Sequence, residues 1–232
     1  MTTIIGFGYR ARSGKDTAVA EIIAKRGSHN PYSATTNCLF CGGTHYDIRR
    51  YAFADALKRE VNQAAVEAGG MEMLFKPNYC FPQKGYVVTL PEWVKRDPNP
   101  DTDPMCPLGK ERFLLQWWGT EYRRAVQKDY WVNRLAEQIN NDEPQIALIT
   151  DVRFPNETQY VLAHKGFTVR VDRPDLPPAT HASETALEDA TDWSYVLDNS
   201  GSLEQLREGA VALFDDAMVS FPFTSCNAGL LE

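Results

Sequence analysis

Apolar residues in this chain fall into short unbroken runs and longer stretches with helical spacing, and the two kinds alternate. Thr3 to Gly8 is the first run, a basic glycine-containing turn follows, and Ala18, Val19, Ile22 and Ile23 then recur at helical spacing. That order reads as strand, loop, helix. Tyr51-Ala52-Phe53 predicts a second short strand running into a helix from about Asp55 to Ala68. Helices are predicted from about Lys110 to Ala125 and from about Tyr130 to Asn140, the second with Trp131, Leu135 and Ile139 on one stripe. Gln145 to Thr150 is almost continuously apolar, as expected of a central parallel strand covered on both faces. Phe167 to Val171 is another such run, with a helix over Asn156 to Lys165 between them. Tyr195 to Leu197 predicts a last short strand, and Leu203, Leu206, Ala210, Leu213 and Ala217 mark the last amphipathic helix.

Strands alternating with helices imply βαβ units and an α/β fold built on a parallel sheet flanked by helices. Two stretches break the pattern. Residues 27 to 48 are polar, and Pro77 to Pro107 hold seven of the fourteen prolines. Proline denies helix interiors and central strands a hydrogen bond, so this second stretch is expected to be loops or an irregular insertion. The expectation is one domain over 1–232, with 27–48 and 69–108 as insertions or a substrate-side subdomain.

The chain has 232 residues, 43% of them hydrophobic, enough to bury one α/β core. A formal charge of −7 argues against a surface built to neutralise a nucleic-acid backbone, though a local basic pocket for a small anion stays open. No apolar run is long enough to span a membrane, and the N-terminus enters a strand pattern at once, so a soluble, cytoplasmic protein is expected. Five cysteines, an odd number, read as thiols or metal ligands.

Between the first strand and first helix stands Arg12-Ser13-Gly14-Lys15-Asp16-Thr17. Backbone N–H groups and a helix N-terminus there can wrap an anion while Lys15 reaches the β and γ phosphates of a nucleotide. The usual G-x-x-x-x-G-K-[ST] spacing puts glycine at position 9, but this chain has Tyr9, with Gly8 one place earlier. Asp16 stands where a metal-binding Ser or Thr is usual, and Thr17 follows.

The chain resembles the bacteriophage deoxynucleoside monophosphate kinases of the P-loop nucleotide kinase superfamily. The resemblance is carried by Arg12 to Thr17; Gln116 with Gly119-Thr120 and Tyr130-Trp131-Val132; Asp151 with Arg153 and Glu157; Arg173-Pro174; Thr180-His181 with Glu184; and Asn199 with Gly201 to Glu204, in the family's order. About half the sequence is covered. Residues 27 to 108 match poorly, apart from Ala54-Asp55 and Lys58, where the family has a substrate-side helix. The resemblance implies a nucleotide-kinase fold, ATP and Mg²⁺, reversible transfer to a deoxynucleoside 5′-monophosphate, and a dimer. It also places Glu157 on the substrate side and Asn199 near the adenine.

Gln116, Thr120, Arg123 and Arg124 fall at i, i+4, i+7 and i+8, so one α-helical face would present an amide, a hydroxyl and two guanidiniums. Such a face suits a monophosphate and a base edge; a solvated face over inward Trp117, Trp118 and Tyr122 is the plainer reading. Asp151 and Arg153 follow a strand end, where ligands of open α/β sheets bind. Asp151 could hold Mg²⁺ through water or orient the acceptor, and Arg153 could balance phosphoryl charge; a structural pair capping the next helix is the alternative. Arg173, with Arg170, opens a proline-bearing loop that could close over ATP. Thr185 to Glu188 has the form of a capping box. Cys38 and Cys41 have the spacing of half a structural zinc site, which His45, Cys80 or Cys106 could complete.

The reading is a P-loop kinase in which Lys15, Asp151, Arg153 and Arg173 serve the transfer. Arg12 to Thr17 and Asn199 bind ATP, and Asp55, Lys58, Gln116, Thr120, Arg123, Arg124 and Glu157 bind the acceptor. Two alternatives remain: a P-loop kinase of another acceptor, a modified base in DNA or a coenzyme precursor, and a non-catalytic nucleotide-binding module.

Overall fold

The computed structural model describes residues 2–28, 44–67, 75–77, 86–88, 105–106, 115–179 and 181–220. Among them, β1 (Thr3–Gly8), β2 (Ile48–Tyr51), β6 (Ile146–Val152), β7 (Phe167–Asp172) and β8 (Tyr195–Asp198) form one sheet in the order β2-β6-β1-β7-β8. All its pairs are parallel. Successive side chains of the central strands leave on opposite faces, which explains the unbroken apolar runs. Ile4, Ala147 and Ile149 pack with α2 (Phe53–Glu67), α3 (Tyr130–Asp142) and α4 (Pro155–Ala163). Ile5, Phe7, Ile146 and Leu148 pack with α1 (Lys15–Arg26) and α6 (Leu203–Ser220). Large side chains such as Trp118, Phe7, Phe167 and Phe214 are fully buried. An apolar side chain of Phe size contributes about 1.5–3 kcal/mol on burial.

Helix α1 carries Asp16 in its first turn and Lys25 and Arg26 in its last, matching the helix dipole. Helix α2 begins at Phe53, two residues before the predicted start, because its first amides are capped from the sheet, as described below.

Three expectations change. The proline-rich stretch holds a small antiparallel sheet of β3 (Phe75–Pro77), β4 (Tyr86–Val88) and β5 (Met105–Cys106), ordered β3-β4-β5. Pro77 is accommodated because β3 is an edge strand, where a missing N–H costs little. The expected capping box at Thr185 is absent, since Thr185 ends the short helix α5 (Ala182–Thr185), which His181 caps through its side chain. Lastly, the helix expected up to Ala125 is a π-helix over Trp117–Arg124.

Candidate active site

The loop between β1 and α1 wraps the carboxyl end of the sheet. Gly14, before α1, has φ 103°, and a Cβ there would lie 2.7 Å from Asn199 Nδ2. Only glycine takes that backbone without strain. Among the described residues no side chain caps α1, so its first amides are left for an anion. Tyr9, where the sequence pattern asks for glycine, has φ 89° and is held by its ring, over which the Arg170 guanidinium lies at 4.0 Å. Gly8 is required for a different reason: a Cβ would meet the Trp193 ring at 2.4 Å.

Lys15 is buried, and its ammonium donates to the Arg10 carbonyl and, over 3.1 Å, to Ser13 Oγ. Burial, and then the nearby Arg153, lower its pKa to about 8. Asn199 Nδ2 donates to the Ser13 carbonyl over 2.8 Å, and Arg173 Nη1 to the Arg12 carbonyl over 3.3 Å. Both residues expected around ATP thus grip the loop itself. Asp16 and Thr17, in the first turn of α1, are oxygen donors of the kind a hard cation takes. Asp16 is exposed and lies 3.8 Å from Arg50.

Beside the loop lies a cavity of about 210 Å³ that Ala11 of the loop helps to line. Thr120 and Arg124 line it from the π-helix, Gln116 from the residue just before it, and Asp151, Arg153 and Glu157 from the end of β6 and the start of α4. Phe53, Leu57, Leu115, Trp131 and Phe154 supply an apolar wall that sequence reading missed, because such residues look like ordinary core. Ser183 and Glu184 close one side, with Glu184 Oε1 3.8 Å from Arg153 Nη1.

Glu157 is almost fully buried. Oε1 pairs with Arg124 Nη2, and Oε2 accepts from the Arg153 and Phe154 amides over 2.6 Å and 3.1 Å. Burial pushes its carboxyl up to about 7, against the opposing pull of Arg124. Asp151 accepts from the Phe53 and Ala54 amides, 2.8 Å each, so it caps α2 from across the sheet. Burial raises its pKa, while these two bonds and Arg153 work the other way. Its carboxylate thus positions α2, and the residue also lines the cavity.

Arg123 requires a correction. It is buried, with Nε 2.6 Å from Glu60 Oε1, and it does not line the cavity, so its guanidinium serves an internal ion pair instead of the acceptor face. Asp55 and Lys58 also stay off the cavity wall: Asp55 pairs with Arg50 at 2.9 Å and with Lys58 at 3.8 Å, while their neighbours Ala54 and Leu57 line it. Cys38 and Cys41 lie outside the described residues. His45, a candidate third zinc ligand, is buried with Nδ1 2.9 Å from the Gly27 carbonyl. Among the described residues no three His, Cys, Asp or Glu side chains cluster as metal ligands, and no helix is long and apolar enough to cross a membrane.

No family model matches the chain. A protein of Acanthamoeba polyphaga mimivirus, provisionally named deoxynucleotide monophosphate kinase, is 31% identical over 156 residues, 50% of this chain and 81% of that protein. The deoxynucleoside-5′-monophosphate kinase of Escherichia phage T5 is 36% identical over 80 residues, 27% of this chain and 32% of that protein. Among solved structures, TT1252 from Thermus thermophilus aligns with a TM-score of 0.44 at 18% identity, covering 93% of this chain and 97% of that one. Dephospho-CoA kinase from Campylobacter jejuni aligns with a TM-score of 0.43 at 10% identity, covering 91% and 96%. The mimivirus match spans four-fifths of its partner, and by it this chain belongs to the deoxynucleotide monophosphate kinase family.

Proposed function

We propose that the protein transfers the γ-phosphoryl group of ATP to a deoxynucleoside 5′-monophosphate. One observation carries the reading: an uncapped helix N-terminus with a buried lysine adjoins a cavity that holds Arg124, Arg153, Gln116 and Thr120. Names carried by the mimivirus and phage T5 relatives support it.

An oxygen of the acceptor phosphate attacks the γ phosphorus, the bond to the β–γ bridging oxygen breaks, and ADP leaves. The acceptor is already an anion, so no general base is needed. Lys15 and the first amides of α1 hold the β and γ phosphates, with Arg12, Ser13 and Gly14 shaping the loop around them. Asp16 and Thr17 would hold Mg²⁺, which would supply charge neutralisation to the triphosphate. Arg124 grips the acceptor phosphate, while Arg153, which lines the cavity and lies near Lys15, balances charge as it shifts. Arg173 steadies the loop at Arg12. Gln116 and Thr120 read the base edge, and the aromatic wall stacks on it. Glu157 holds Arg124 in place.

Labelled ATP with a panel of deoxynucleoside monophosphates tests the reading: turnover of at least one is expected. Nucleotide binding without turnover of any acceptor points to the non-catalytic module, and turnover confined to a modified base in DNA or a coenzyme precursor to a P-loop kinase of another acceptor. The family's dimer belongs to the same reading and is tested by light scattering. A zinc on Cys38 and Cys41 rests on their spacing alone and is tested by elemental analysis of protein purified without added metal.

A further inference from the structure

Trp118 and Arg123 are five residues apart on the π-helix, yet both donate to one oxygen, Glu60 Oε1, over 2.8 Å and 2.6 Å. Tyr130 on α3 donates to the other oxygen over 2.7 Å. Glu60 and Arg123 are 8% and 4% exposed, so this carboxylate joins α2, the π-helix and α3 inside the protein.

An α-helix turns by about 100° per residue, so residues five apart point to different sides and are badly placed to share one oxygen. A π-helix closes its hydrogen bonds i→i+5, which brings such residues onto the same side. The wider turn also sorts the arginines. Gln116 and Arg123, seven apart, share a face in an α-helix. Here Gln116 lines the cavity while Arg123 meets Glu60 on another side. A slip to the α register would separate Trp118 or Arg123 from Glu60 and leave a buried charge poorly paired, which is costly. π-Helices are rare, and the single-turn π-bulges in which they mostly occur are frequent at functional sites.

We infer that Glu60 is a positioning residue for the acceptor site: by gathering Trp118 and Arg123 it holds Trp117–Arg124 in the π register, and that anchorage turns the shared face of Gln116, Thr120 and Arg124 to the cavity while Arg123 turns away from it. The inference rests on the acceptor assignment above for its kinetic consequence, but not for its structural one.

The test uses the full chain in two variants. Glu60→Leu with Arg123→Leu exchanges the buried ion pair for apolar side chains, a change that often preserves stability. Glu60→Gln keeps shape and one acceptor oxygen but removes the charge. In the double variant the KM for every accepted monophosphate should rise at least tenfold while the KM for ATP stays within twofold. A crystal structure of it should show i→i+4 bonds over 117–124. Glu60→Gln should give the same split at a few-fold, and it decides alone where the double variant does not fold. Acceptor KM at the wild-type value in a folded variant, or i→i+5 bonds retained in the double variant, overturns the inference. Wild-type protein that phosphorylates no monophosphate instead sinks the acceptor assignment, and the bonding pattern of the double variant still decides the role of Glu60.

Discussion

Asn199 donates its side-chain amide to the carbonyl of Ser13 over 2.8 Å, joining two positions 186 residues apart. The turn after β8 thereby holds the phosphate loop from outside, and Gly14 lies against the same amide. Gly14→Ala adds a Cβ to a left-handed backbone and pushes Asn199 away, so the KM for ATP should rise tenfold or more. Asn199→Ala loses one hydrogen bond, about 0.5–1.5 kcal/mol, and should raise it only a few-fold. Initial rates at varied ATP concentration measure both; equal effects would show that the loop does not depend on Gly14 for its shape.

Lys15 gives a pH signature. Its ammonium meets the phosphates, and in the free protein its pKa is lowered to about 8, chiefly by burial. As pH rises through that value the charge is lost, so kcat/KM for ATP should fall above about pH 8. Bound triphosphate favours the ammonium, so kcat should hold to higher pH. The linkage sign is separate. The unfolded chain binds the extra proton between about 8 and the ordinary lysine value of 10.5, so this group's contribution to stability is complete above that window and is lost as pH falls through about 8. A kcat/KM profile flat to pH 9.5 would contradict the assignment.

Two adjacent arginines should behave differently. Arg124→Ala removes a guanidinium from the cavity and also leaves buried Glu157 without its ion-pair partner, so in variant protein shown to be folded the KM of all accepted monophosphates should rise by about tenfold to a hundredfold, whatever the base. Arg123→Ala leaves Glu60 buried without its ion-pair partner and should cost about 3–5 kcal/mol of stability, read by denaturant unfolding. If Arg124→Ala leaves acceptor KM untouched while turnover continues, the cavity is not the acceptor site.

Asp151→Ala should act through α2. Losing a helix cap costs about 1–2 kcal/mol, and because Phe53, Ala54 and Leu57 line the cavity, the acceptor KM should rise with it. A metal ligand would behave otherwise, with the loss of activity partly restored by raising Mg²⁺. Activity measured against Mg²⁺ concentration separates the two roles.

The sequence by itself determined the strand, loop and helix around Lys15, the apolar runs of β1, β6 and β7, and the place of the Lys15 loop at the carboxyl end of β1. These are local matters: hydrophobic period and one glycine before a helix state them within a dozen residues. It also marked Gln116, Thr120 and Arg124, because residues four apart share a face in a π-helix nearly as well as in an α-helix. Only the tertiary structure decided that Arg123 turns away, that Asp151 caps α2 and that Asn199 holds the loop. Each depends on a partner far along the chain: Glu60 is 63 positions from Arg123, and Phe53 is 98 from Asp151. Helix register here follows from where a buried carboxylate finds its donors, and no periodicity within residues 110–125 carries that information.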